Sequence, residues 1–297
     1  MNTTQADLDL ANAEIERLTA ELDDLKLLYE AMIEHGEAVE DQLAEKNLLL
    51  ERTQARLESE LDDATRYIFS ILPEKRQIHP TTDWLFTPST ELGGDSFGYH
   101  DLDERHFALY LIDVCGHGVG AALLTIAVIN VLRTGALAQA DLRDPPQVLA
   151  ALNAAFPMEK QNDKFFTIWY GVYDRVTGAL RYCSGGHPPA ILIRGEQHGA
   201  GAPEYLATPG GIAIGVLDGD VDYECQSVAV HPGDRLLVLS DGTFEVNGPD
   251  GDQLDVDGLA DYAFTSGNSP AGIHEWVRTF NSEGPLPDDF TLLEVRF

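Results

Sequence analysis

Between residues 5 and 72, apolar side chains recur in alternating steps of three and four. The series runs Leu8, Ala11, Ile15, Leu18, Leu22, Leu25, Tyr29, Met32, Val39, Leu43, Leu50, Leu57, Ala64, Tyr67 and Ile71. The frame crosses weak positions at Gly36, Lys46, Thr53 and Glu60, and the stretch holds no proline. A heptad sustained this long predicts a coiled coil, roughly 100 Å long as one helix at 1.5 Å per residue. Such a helix exposes its apolar seam unless it pairs. A parallel homodimer is the first expectation, an antiparallel hairpin bending near Gly36 the second. Pro73 ends the helix, so the chain divides into a coiled-coil dimerisation or regulatory segment, 1–72, and a second domain, 73–297.

From about Trp84 the period changes. Short strand-like runs appear at Trp84–Ser89, Phe97–His100 and Phe107–Val114, followed by helical stretches at Val119–Thr134 and Pro146–Phe156. Phe165–Tyr173 and Leu180–Cys183 flank a turn-like loop and read as a hairpin. Further strands are expected at Ala190–Ile193, Tyr223–Val230, Arg235–Leu239 and Leu292–Phe297, with helices near Leu259–Phe264 and Pro270–Phe280. Helices cluster and strands come in runs, which favours an α+β layered domain over a βαβ wind.

Composition adds two constraints. The formal net charge of the 297-residue chain is -31, which repels nucleic-acid phosphates and anionic lipid but attracts divalent cations or basic partner surfaces. Residues 1–72 carry 18 acidic and 6 basic side chains, net -12, so pairing of the helix is opposed by repulsion at low salt. Cys115, Cys183 and Cys225 match no zinc or redox spacing and read as free thiols of a reducing cytosol. The N-terminus lacks a signal-peptide pattern, and the most apolar run, Gly118–Leu132, is shorter than a membrane span. The expectation is a cytoplasmic protein without nucleic-acid or membrane partners.

The chemistry lies in four acidic motifs: Gly93-Gly94-Asp95-Ser96-Phe97, Asp113-Val114-Cys115-Gly116-His117-Gly118, Ser240-Asp241-Gly242, and Asp288-Asp289-Phe290-Thr291. Each puts a carboxylate where an apolar strand meets a glycine-rich or polar loop. Taken singly they are ordinary turns. Converging carboxylates repel one another and are costly to desolvate, and divalent cations remove that cost. Oxygen-only ligands select hard ions, Mg²⁺ or Mn²⁺. Two such ions can share a water, lower its pKa and stabilise a phosphoryl group under attack.

Together with Phe166-Thr167, Gly185-Gly186-His187-Pro188-Pro189 and Pro232-Gly233-Asp234, these motifs occur in the order and spacing of SpoIIE/RsbU-type phosphatases, the bacterial branch of the PPM (type 2C) protein phosphatases. The resemblance runs from roughly Leu57 to Phe297. It implies an α-β-β-α sandwich of two antiparallel sheets flanked by helices, preceded here by the coiled coil. It also implies two Mn²⁺ or Mg²⁺ ions. Asp113 resembles the carboxylate that bridges both metals, and the Val114 carbonyl stands at a backbone-ligand position. Asp241 and Asp288 match the first metal's ligands, Asp95 serves the second, and Asp289 is a supporting candidate. Eukaryotic members carry a histidine where Cys115 stands. That role is not transferred to His117, for which positioning of the following helix is an equal reading. His187 is expected to shape its loop, and Asn153 and Thr167 to pack or cap.

The resemblance implies hydrolysis of phosphoserine or phosphothreonine on a protein, specifically a phosphorylated STAS-type anti-sigma-factor antagonist in a partner-switching pathway. The coiled coil would then be either a switch acting on Asp95 or a passive dimeriser. A phosphatase-fold interaction protein without activity is the alternative, and it predicts loss of the carboxylates. A diguanylate cyclase, suggested by Gly93–Phe97, fails because Ser96 stands where that family has an acid.

Overall fold

The computed structural model describes residues 2–89, 92–137, 140–195, 197, 201–248, 253–281, 284 and 286–297. The chain divides into two units, Met1–Glu60 and Leu61–Phe297. The first is helical throughout, as the N-terminal part of α1 (Asn2–Ile71). No break occurs at Gly36, so the hairpin expected as the second possibility is not formed there. A single exposed glycine costs a helix about 1 kcal/mol relative to alanine, too little to interrupt a run of strong helix formers. Every described side chain between residues 7 and 60 is exposed, the seam residues Leu22, Leu25, Tyr29 and Met32 included.

In the second unit the end of α1 packs against the core, on a stripe that shares Ala64 with the heptad frame but otherwise departs from it. The packed positions are Leu61, Ala64, Ile68 and Leu72, whereas Tyr67, which the frame places in the seam, is 58% exposed. A helix of 3.6 residues per turn drifts against a seven-residue repeat, and at Ile68 and Leu72 the packed position lies one residue beyond the frame.

Among the described residues ten strands follow: β1 (Thr81–Thr87), β2 (Asp95–Asp101), β3 (His106–Val114), β4 (Phe166–Asp174), β5 (Ala179–Gly185), β6 (Ala190–Ile193), β7 (Glu204–Leu206), β8 (Cys225–Ala229), β9 (Arg235–Leu239) and β10 (Phe290–Arg296). They form two five-stranded sheets, ordered β1-β10-β9-β6-β7 (sheet A) and β2-β3-β4-β5-β8 (sheet B), with every pairing antiparallel. The helices are α2 (Val119–Thr134), α3 (Pro145–Ala155), α4 (Val256–Ser266) and α5 (Pro270–Val277).

The layers explain the strand sequences. Phe97, Leu109, Leu111 and Trp169 of sheet B meet Leu192, Leu236, Val238 and Leu293 of sheet A between the sheets. The opposite face of sheet B, with Tyr110, Ile112, Ile168 and Tyr170, packs on Val128, Leu132, Val148 and Leu152 of α2 and α3. Sheet A's other face, with Ile191, Leu237 and Leu292, packs on Leu259, Ala263, Ile273 and Val277 of α4 and α5. Strands covered on both faces read as continuous apolar runs rather than alternations, which is why β3 and β4 stood out in the sequence. The three-residue β7, with two of its three residues exposed, has no such signal and was not anticipated. The α-β-β-α sandwich is therefore the fold.

One ion pair is built into sheet A. Arg235 donates to Glu294 from Nε (3.1 Å) and Nη2 (2.6 Å), and also to the carbonyls of Asn268 and Ala263 beyond α4 and within it. Glu294 is 1% exposed. Among the described residues no helix is long and apolar enough to cross a membrane.

Candidate metal centre

The four acidic motifs gather at one end of the sandwich. Asp95 opens β2 and Asp113 lies near the end of β3, and the two are direct cross-strand partners. Asp241 stands in the single 3-10 turn after β9, and Asp288 and Asp289 lead into β10. Adjacent strands of both sheets thus deliver their loops to a common point.

Asp95 is buried, and its Oδ2 accepts a 2.6 Å hydrogen bond from Thr291 Oγ1. Burial first, and then the Asp113 charge, push its pKa well above the ordinary carboxylate value. Asp113 is raised to about 7, by burial and then by the charges of Asp241, Asp288 and Asp289. Asp241 is raised as well, by burial and then by Asp288 and Glu245. These shifts record uncompensated negative charge at one place. Asp288 is exposed at the rim, where its Oδ1 accepts from the Asp289 amide at 2.8 Å.

Asp289 is engaged differently. Its Oδ1 accepts from the Ser89 amide (2.8 Å) and hydroxyl (3.0 Å), and its Oδ2 from the amides of Gly94 (2.7 Å) and Asp95 (3.3 Å). It pins the Gly-Gly-Asp turn across nearly 200 residues of sequence. Gly94 is required by close approach: a Cβ there would stand 2.5 Å from the Val114 carbonyl oxygen and 2.7 Å from that of Gly116. Thr125 of α2 reaches the same turn and donates to the Gly94 carbonyl at 2.7 Å. Ser240 completes the frame by donating to the Asp289 carbonyl (3.1 Å) while accepting from the Thr291 amide (3.2 Å). Ser240 and Thr291 sat inside the quoted motifs, but nothing local told that they would position other carboxylates. Thr125 carried no signal at all.

Asp113, Val114, His117, Leu286, Asp288 and Asp289 line a cavity of about 220 Å³. His117 is exposed at its mouth, directly before Gly118, the glycine that turns the chain into α2 with φ 86°. Cys115 faces away into a backbone contact, its Sγ accepting from the Phe165 amide at 3.3 Å. Lys164, missed in the sequence, lays its stem over Gly120 and donates to the Cys115 carbonyl at 3.3 Å, which sets an ammonium beside the acidic loop.

The donor set fits a hard divalent ion. It is all oxygen, it carries excess negative charge, and Thr167, the cross-strand partner of Asp113, keeps a buried hydroxyl with no hydrogen-bond partner in the structure. Among the described residues no three His, Cys, Asp or Glu side chains are already converged on one point.

Other motifs serve the scaffold. Asp234 lies at the opposite end of β9 from Asp241, fully buried, accepting from the Gly195 and His231 amides and from Arg194. His187 is buried with its Nδ1 3.0 Å from the Pro188 carbonyl, and its backbone is bracketed by the Ser184 hydroxyl. Burial pushes its pKa down to about 4. Asn153 ties α3 to the loop at residues 215–219, accepting from the Gly215 amide and donating to the Leu217 carbonyl.

Comparison with known proteins places the chain in a family and matches its fold. The family model described as Stage II sporulation protein E (SpoIIE) matches residues 103–297. Phosphoserine phosphatase RsbU of Bacillus subtilis (strain 168) is 25% identical over 287 residues, covering 92% of this chain and 78% of RsbU. Phosphoserine phosphatase RsbP of the same organism is 28% identical over 167 residues, which is 55% of this chain but only 39% of RsbP. Among solved structures, the SiaA PP2C domain of Pseudomonas aeruginosa superposes with a TM-score of 0.69 at 22% identity, covering 82% of this chain and 98% of that domain. The RsbU and RsbW domains of Rv1364c from Mycobacterium tuberculosis give 0.57 at 26% identity, covering 76% and 62%.

Proposed function

The chain belongs to the SpoIIE family, and from that premise we propose that it is a metal-dependent protein serine/threonine phosphatase acting on phosphoserine or phosphothreonine of a partner protein. The observation that carries this reading is the gathering of Asp95, Asp113, Asp241 and Asp288 at one end of the sandwich, with Asp113 and Asp288 lining a cleft and Asp113 raised to about 7 by burial and by its neighbours' charges. Two Mn²⁺ or Mg²⁺ ions bound there would supply an activated water and positive charge for the phosphoryl oxygens. Asp113 would touch both ions. Asp241, Asp288 and the Val114 carbonyl would hold the first, and Asp95 would serve the second through water.

The protein's own groups do the positioning. Thr291 fixes the Asp95 carboxylate, and Asp289, as a supporting residue, holds the Asp95 turn against β10. Lys164 offers a further cation near the acidic loop, which would add to the attraction for an incoming phosphoryl dianion. The substrate in this reading is a phosphorylated STAS-type anti-sigma-factor antagonist, met in the cytoplasm. Residues 1–72 are the dimerising or regulatory coiled coil and 73–297 the phosphatase domain, and exposure of the Leu22–Met32 seam supports pairing with a second copy. The inactive alternative finds no support in a chain that retains all four carboxylates.

The test is phosphate release from a phosphorylated STAS protein with Mn²⁺, wild type against Asp113→Asn. Release by the wild type alone is expected. Equal behaviour of the two proteins overturns the mechanism.

A further inference from the structure

Far apart in the sequence, Cys183 and Cys225 are direct partners across the β5–β8 ladder. Residues so opposed present their side chains on the same face, with Cα atoms about 4.5–5.5 Å apart. That lies within the roughly 4.4–6.8 Å that a disulfide spans. Both are free thiols, each donating to a backbone carbonyl: Cys183 to Glu224 at 3.0 Å and Cys225 to Gln226 at 3.5 Å. Their exposures differ. Cys183 is fully buried beneath α3, whereas Cys225, on the edge strand β8, is partly open to solvent. The Arg181 guanidinium lies beside the Cys225 thiol.

We propose that Cys183 and Cys225 form a reversible redox pair, which a peroxide converts into a cross-strand disulfide linking β5 to β8. The Cys225 thiolate attacks one peroxide oxygen and becomes a sulfenic acid, as the O–O bond breaks and the other oxygen leaves as water. The Cys183 sulfur then attacks the Cys225 sulfur and displaces hydroxide, which leaves as a second water with the Cys183 proton. Two thiols lose two electrons and two protons, and one hydrogen peroxide becomes two waters. A small dithiol reverses the change by exchange. The buried Cys183 thiol is pushed up to about 12, by burial first and then by the charges of Cys225 and Asp144.

The bond has a structural consequence because of where the chain goes between its ends. From β5 it passes through the Gly185–Pro189 turn into β6 and β7 of sheet A before returning to β8 of sheet B. A disulfide would close that excursion into a covalent loop spanning both sheets and restrict the unfolded chain.

The experiment treats the reduced full-length chain with equimolar hydrogen peroxide and measures intact mass, free thiols, a non-reducing peptide map and the unfolding midpoint. The expected result is a loss of about 2 Da, two of the three thiols gone, a peptide linking 183 to 225, and a midpoint raised by several degrees. Dithiothreitol should restore the starting values. Cys115→Ser should behave like wild type, and Cys225→Ser and Cys183→Ser should each lose the response. A gain of about 16 Da per oxygen on Cys225 with Cys183 still a thiol would overturn the pairing. So would a bridge to Cys115 or between chains. The wild-type peptide map decides even if Cys183→Ser fails to fold. None of these readouts depends on phosphatase activity.

Discussion

The two units of this chain treat apolar residues in opposite ways. In the second, three apolar layers close upon themselves, and side chains as large as Trp169, Tyr110 and Phe97 are fully buried. In the first, the apolar residues at heptad spacing are all exposed. A sandwich of two covered sheets supplies its own partner for every apolar face. A single helix cannot, since most helix stability in proteins comes from packing one face against something else. The contrast continues within one helix: past residue 60 the buried stripe changes to Leu61, Ala64, Ile68 and Leu72. The same regular sequence thus leaves its apolar residues exposed before that point and packs them within the chain after it.

The comparison can be broken or sharpened by measurement. The largest effect is expected inside the sandwich. Glu294→Leu leaves Arg235 charged and buried without its partner, and should cost about 3–5 kcal/mol of unfolding free energy in urea titration. A smaller loss would mean that sheet A does not depend on its internal ion pair. Next, Asp113→Asn should lower phosphate release at least about 100-fold, some 3 kcal/mol in the barrier, with an unchanged circular dichroism spectrum.

Third is the response to acid. His187 titrates near 4 when folded and near 6.5 when unfolded, so the unfolded chain binds the extra proton between those values. Its contribution is present above pH 6.5 and lost as pH falls toward 4, about 2 kcal/mol of it by pH 5. His187→Asn should remove that part of the pH dependence. An unchanged slope between pH 7 and 5 would show that this imidazole does not report on the core.

The smallest effect belongs to the first unit. Leu25→Glu with Met32→Glu should weaken self-association at least tenfold by sedimentation, about 1.4 kcal/mol, and leave the sandwich's unfolding midpoint where it was. Wild-type association should tighten as salt rises, because residues 1–72 carry net -12. A protein equally monomeric before and after the double substitution would remove the seam's proposed role.

The sequence displayed the two units and most of their elements because periodicity is local: a long 3.5 repeat, then doubly buried strands such as β3 and β4. Asp95, Asp113, Asp241 and Asp288 were visible as strand-end carboxylates, although only their order connected them. What was hidden depends on distant partners. That Asp289 would spend its oxygens on Ser89, Gly94 and Asp95 follows from the pairing of β10 with β1 and β9, which no nearby residue encodes. Lys164 looked like an ordinary surface lysine. The facing of Cys183 and Cys225 is a matter of register, invisible until β5 and β8 are paired.

β10 occupies an interior place in sheet A, between β1 and β9, although it is the last of the sheet's strands in the sequence. During synthesis, then, β1 emerges early and has no partner until some 200 residues later, and the Asp95 turn waits as long for the Asp289 carboxylate that fixes it. The nascent chain can form its leading helix and even meet a second copy while sheet A is still open. The carboxylates converge only after β10 has left the ribosome, so the site is completed long after the helix can form.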